Sequence, residues 1–182
     1  MKTLKNIAKA LMIAIILILS LSSKAQTPTY SCIARNDTLL DANNYQFDVY
    51  IYRTDASELY LNNYQLSLQI SNTAGVQNGG TISGSYVAGS TELPASWTPA
   101  GVSMFTQSGQ RVLRVNGPGL SSNGTLIPTT GLKIGTFKIS NTAAFGQSNM
   151  GLIWWNNLIT TVIWAIVPPA PNGPSVIVTT FA

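Results

Sequence analysis

The chain reads as an all-β protein folded into a two-sheet antiparallel β-sandwich. Three observations predict this. Apolar and polar residues alternate with a period of two through most of the chain. Clusters of Gly, Pro, Asn and Ser divide the alternating runs at short intervals. No convincing run with helical periodicity competes with them. Strands that bury one face only belong to antiparallel sheets, and two such sheets hide their apolar faces by packing together.

The strands follow in order. Tyr45, Phe47, Val49 and Ile51 form an apolar face, and Gln46, Asp48, Tyr50 and Tyr52 lie opposite. The cleanest alternation is Tyr64 to Ser71, with Tyr64, Leu66, Leu68 and Ile70 on the buried side. Further strands are expected at Thr81–Val87, Val102–Gln107, Arg111–Asn116, Lys133–Ser140, Leu152–Trp155, Leu158–Val167 and Ser175–Phe181. Ser108-Gly109 reads as a hairpin turn between two of them. Asn156-Asn157 reads as another, because asparagine tolerates positive φ. Gly117-Pro118-Gly119 and Ser121 to Gly124 form a loop, and Pro168 to Pro174 is a stiff connection before the last strand. About nine strands punctuated this way suit a sandwich or barrel, and strands that alternate rather than run uniformly apolar favour two packed sheets, in a jelly-roll or immunoglobulin-like sandwich.

The first 25 residues have a different character. Lys2, Lys5 and Lys9 precede an uncharged apolar core from Leu11 to Leu19, and Ser23-Lys24-Ala25 supplies small residues before a cut at Gln26. This is the layout of a secretory signal peptide. The apolar run is too short for a spanning helix, which needs ~20 residues. Cleavage leaves one domain, residues 26–182, in an extracellular setting, free or at the cell surface. That domain keeps six basic and six acidic residues, so the net charge of the whole chain belongs to the leader. Neither a basic footprint for nucleic acid nor a polybasic membrane cluster remains.

Catalytic chemistry is poorly supplied. There is no histidine, which removes the commonest general base and most zinc sites. Cys32 is the one cysteine, has no partner within the chain, and reads as a small buried apolar residue. The six carboxylates Asp37, Asp41, Asp48, Asp55, Glu58 and Glu92 read as solvated surface charge. A calcium site at Asp37, Asp41 and Asn43 is conceivable, but turn and capping chemistry explains those residues more simply. The expectation is a domain with no catalytic residue, no metal and no cofactor.

Aromatic residues carry the functional reading. Sugars present flat C–H faces that stack on rings. Tyr50 and Tyr52 share the outward face of one strand, about 7 Å apart, with Gln46 and Asp48 beside them. Alternation with Leu152 places Trp154 in the core and Trp155 outward. Trp97 falls on a loop. Trp164, sharing a face with Val162 and Ile166, belongs to the core. Carbohydrate contact is therefore expected at Tyr50, Tyr52, Trp97 and Trp155, against the plainer role of aromatic pairs in sheet packing.

Asn44 to Ile51, Asn63 to Ile70, Leu93-Pro94-Ala95-Ser96, Gly131 to Ile139 and the late Trp-containing strands occur in an order that resembles a known group. It is similar to the N-terminal sandwich domains of secreted Bacteroidota surface proteins, within the cohesin and carbohydrate-binding-module (families 2 and 3) superfamily. The resemblance implies a nine-stranded sandwich that binds polysaccharide, or a protein partner as cohesins do.

Overall fold

The computed structural model of the chain describes residues 29–119, 124–155, 161–166 and 175–178, the last four as backbone alone. The expected leader, the Asn156-Asn157 turn, Ser121 to Asn123 and the Pro168 to Pro174 connection lie outside the described residues.

The period-two pattern folds as expected into two antiparallel sheets. The first has the order β1 (Tyr30–Asp41), β2 (Asn44–Arg53), β8 (Leu132–Asn141), β4 (Ile82–Tyr86). The second has the order β11 (Ser175–Val178), β10 (Val162–Ile166), β3 (Leu59–Ile70), β6 (Gln110–Asn116), β5 (Gly101–Gln107). Two short strands, β7 (Thr125–Ile127) and β9 (Leu152–Trp154), also pair with β3. Tyr45, Phe47, Val49 and Ile51 of β2 face Tyr64, Leu66, Leu68 and Ile70 of β3 within one buried cluster. Phe137 packs on Phe47 with ring centroids 6.0 Å apart, and Tyr86 on Phe137 at 5.9 Å. Offset aromatic packing of this kind adds to simple area burial.

Two strands were not foreseen. β1 is the polar segment that breaks its alternation at Asn36-Asp37, where a β-bulge shifts the register with β2. Asn36 takes φ 53° at that bulge, a left-handed conformation that asparagine adopts more readily than most residues. β7 has only three residues.

The pairing along β3 explains why the eleven strands among the described residues occupy the width of nine. β10 pairs with Tyr60 to Gln65 and β9 with Leu68 to Ile70, along the same edge of β3. β6 and β7 divide the other edge in the same manner. Each pair is one strand interrupted by an excursion of the chain. Ser67 closes the excursion between β9 and β10. Its carbonyl accepts from the Trp155 N–H at 2.8 Å, and its N–H donates to Thr161 Oγ1 at 2.9 Å. The Thr161 N–H also donates to the Trp155 carbonyl at 3.3 Å, so the chain leaves and rejoins the sheet at adjacent points.

Local chemistry fixes the connections. Ser108 and Gly109 have φ of 50° and 77°, the two left-handed residues of a type I′ hairpin turn. One helical turn, α1 (Thr73–Gln77), interrupts the all-strand pattern. Asn72 caps it by accepting from the Gly75 N–H, Asn78 ends it in the left-handed conformation, and Val76 is its buried residue. Cys32 is buried and free, as expected. Burial pushes its thiol well above the usual cysteine range.

Candidate functional site

The outer face of the first sheet gathers most of the outward residues of β2. The register sets Arg35 beside Asp48 on one side and Thr136 beside it on the other. Asp48 accepts from Thr136 Oγ1 at 2.6 Å and from Asn36 Nδ2 at 2.8 Å, and pairs with Lys133 Nζ at 2.8 Å. It is only 8% exposed, although its strand face points outward. Burial by itself raises its pKa; the hydrogen bonds from Asn36, Lys133 and Thr136 outweigh that and hold the carboxyl below the ordinary aspartate value. The expectation of a solvated surface charge is thus corrected. The bulge that turns Asn36 toward the face supplies one of its donors, and the other two come from β8.

Tyr50 and Tyr52 continue this face. Their rings are half-buried, with centroids 6.3 Å apart and planes inclined by 31°. The spacing expected from the strand rise is therefore met. A glycine makes room for Tyr52, because a Cβ on Gly131 would lie 2.3 Å from a carbon of its ring. Arg35 extends over the same ring, its guanidinium carbon 5.2 Å from the centroid, a cation–π arrangement. Gln46, Lys138 and Ser140 complete the face toward the other end of the sheet.

The tryptophans do not join it. Trp97 is buried, not exposed on a loop. A 3-10 turn, Ala95–Trp97, tucks its ring against Tyr64 at 6.5 Å and nearly parallel, and the Tyr64 hydroxyl donates to the Trp97 carbonyl at 3.1 Å. Trp155 is 7% exposed and lies outside the interior cluster, so it is covered rather than presented on an open face. It stands where the chain leaves the sheet after β9. Trp154 is half-buried and packs against the interior cluster, close to expectation. Trp164 is half-buried outside that cluster, and its neighbours Ile163 and Ala165 fill the core instead. The register shift after Trp164 places the extra residue, Asn62, in β3, and Ile163 and Ala165 keep one phase across it, so β10 turns inward the face opposite to the one expected.

A second concavity, about 250 Å³, opens at the edge of the sandwich between Ala34, Asp37 and Tyr45 on one side and Asn149, Gly151 and Leu152 on the other. This is a little under the ~300–1,000 Å³ of typical small-molecule pockets. Tyr45 donates its hydroxyl to Asp37 at 2.7 Å. Burial and the Asp37 carboxylate both raise the tyrosine's pKa.

The segment considered for calcium is occupied by turn chemistry. Asp41 accepts from the Asn43 N–H and from Asn44 Nδ2, and those bonds lower its pKa, the Asn43 N–H contributing most. Among the described residues no group of three or more acidic, histidine or cysteine side chains is placed to hold a metal ion. The remaining acids are engaged as well. Asp55 accepts from Thr29 and the Ser57 N–H, Glu58 from the Tyr60 hydroxyl, and Glu92 from the Lys133 N–H.

Arg35 is the functional candidate that sequence reading missed. Its signal was present only in the register of β1, a strand whose alternation the bulge conceals. Among the described residues no helix is long and apolar enough to cross a membrane. Comparison with protein-family models, with curated proteins and with solved structures finds no match to this chain.

Proposed function

We propose that this chain is an exported, non-catalytic module that binds carbohydrate on the outer face of its first sheet, with Tyr50 and Tyr52 as the contact. The observation that carries this reading is the tyrosine pair itself. Two half-buried rings stand 6.3 Å apart on an outward strand face, with the Arg35 guanidinium over Tyr52 and Lys133 opposite Tyr50 in the register. Rigid rings beside hydrogen-bonding groups are the combination a sugar requires: apolar C–H faces rest on the rings and hydroxyls meet the polar groups.

The non-catalytic part rests on side-chain chemistry. The chain has no histidine, and each of its six carboxylates already accepts a hydrogen bond from a neighbour. Trp97 and Trp155 drop out of the contact surface because both are buried. A cohesin-like protein interface would favour a contiguous apolar patch. The large exposed apolar residues of the described chain are Leu39, Leu40, Leu126 and Ile153. They are divided among β1, β7 and β9, so the tyrosine face is the better candidate.

Pull-down on insoluble polysaccharides, comparing the chain without residues 1–25 with its Tyr50→Ala/Tyr52→Ala variant, tests the proposal. Retention that the double variant loses is the expected result. Equal retention of both proteins would remove the tyrosines from the site.

A further inference from the structure

We propose that the glycan recognised on this face is acidic, and that Arg35 binds its carboxylate or sulfate group. The inference rests on the carbohydrate-binding reading and deepens it.

Charge accounting on the face leads to Arg35. The outward side chains of the first sheet carry three cations, Arg35, Lys133 and Lys138, and two anions, Asp48 and Asp41. Lys133 is committed to Asp48 at 2.8 Å, and Glu92 accepts from its backbone N–H. Lys138 faces Asp41, whose pKa it helps to lower. Arg35 stands opposite Asp48 in the register, yet Asp48 takes its bonds from Asn36, Lys133 and Thr136 instead. Asp37, two residues along β1, accepts from Tyr45, whose ring lies in the interior cluster. Among the described residues the exposed Arg35 guanidinium makes no hydrogen bond and no ion pair.

Its position suits a ligand. The guanidinium lies over Tyr52, which is four residues from Asp48 along β2, or about 13 Å of strand rise. Arg35 therefore leans away from Asp48 and toward the tyrosine pair. Stacking holds the planar group without consuming its N–H donors. A guanidinium held in this way offers a fork of N–H groups that matches a carboxylate or a sulfate. A sugar ring resting on Tyr50 would bring an oxyanion substituent within reach of it. A neutral glycan would leave this charge unused.

Affinity electrophoresis through gels containing polygalacturonate, sulfated dextran or unmodified dextran separates the alternatives. The expected result is retardation by one or both anionic polymers and none by unmodified dextran. The polymer that retards names the oxyanion. Arg35→Gln should weaken the retardation at least tenfold, and Arg35→Lys should fall between the two, because it keeps the charge and loses the fork. Arg114→Gln, on the second sheet, serves as the charge-matched control and should change little. Thermal melts establish that each variant is folded. Equal loss from Arg35→Gln and Arg114→Gln would reduce the effect to net charge and overturn the inference. Retardation by unmodified dextran that Arg35→Gln leaves intact would overturn the acidic ligand while keeping the carbohydrate reading. No retardation in any gel, with no retention on insoluble polysaccharides either, would overturn both.

Discussion

The two sheets approach closely at Gly84, and adding one carbon there should separate them. Gly84 lies on the inward face of β4, opposite Ile139 of β8. A Cβ at this position would be 2.1 Å from Leu113 Cδ1 of β6, in the other sheet, and 3.5 Å from Val102 Cγ1. Carbon atoms in contact prefer ~3.5–4.0 Å, so Leu113 would have to withdraw by about a bond length. Leu113 is completely buried and has little space to do so. Overpacking of this kind costs ~1–3 kcal/mol. At ~2–4 °C per kcal/mol for a chain of this size, Gly84→Ala should lower Tm by roughly 2–12 °C. Leu113→Ala alone should cost ~2–5 kcal/mol, mostly through the cavity it leaves. The double variant decides the matter. With Leu113 truncated, the obstructing methyl is gone and alanine suits a strand better than glycine by ~0.5–1 kcal/mol. Gly84→Ala should then be neutral or mildly stabilising, which gives a coupling energy of ~1–3 kcal/mol between residues of different sheets. Urea unfolding of the four proteins measures this. Equal costs of Gly84→Ala with Leu113 present and absent would refute the close approach.

Two further outcomes follow from buried groups. Asp48 has a folded-state pKa below its ordinary 3.8, so it stabilises the protein above that pH and ceases to do so as acid protonates the folded form. Asp48→Asn should therefore lose about 1–3 kcal/mol at neutral pH and show a flatter loss of stability below pH 4 than the parent; parallel acid-unfolding curves would contradict this. Cys32 is buried with a raised pKa, so a thiol reagent at pH 8 should label the native protein only at the rate at which it opens. Rapid labelling without denaturant would place that thiol elsewhere.

The interior of this protein was legible in its amino-acid order because burial acts on alternate residues of a straight strand. Tyr45 to Ile51 and Tyr64 to Ile70 announce which side faces in, and both enter the core with that phase. The Ser108-Gly109 turn was equally local, since it needs only two residues at ease with positive φ. The tyrosine pair followed from the same rule. Tertiary structure decided everything that depends on where the alternation breaks. A bulge at Asn36 conceals β1, turns Asn36 toward Asp48 and leaves Arg35 above Tyr52. Trp155 is covered where the chain leaves β9, and β10 turns Ile163 and Ala165 inward in place of Trp164. One extra residue carries every later side chain to the opposite face, and only the partner strand, through its hydrogen bonds, determines where that residue is placed.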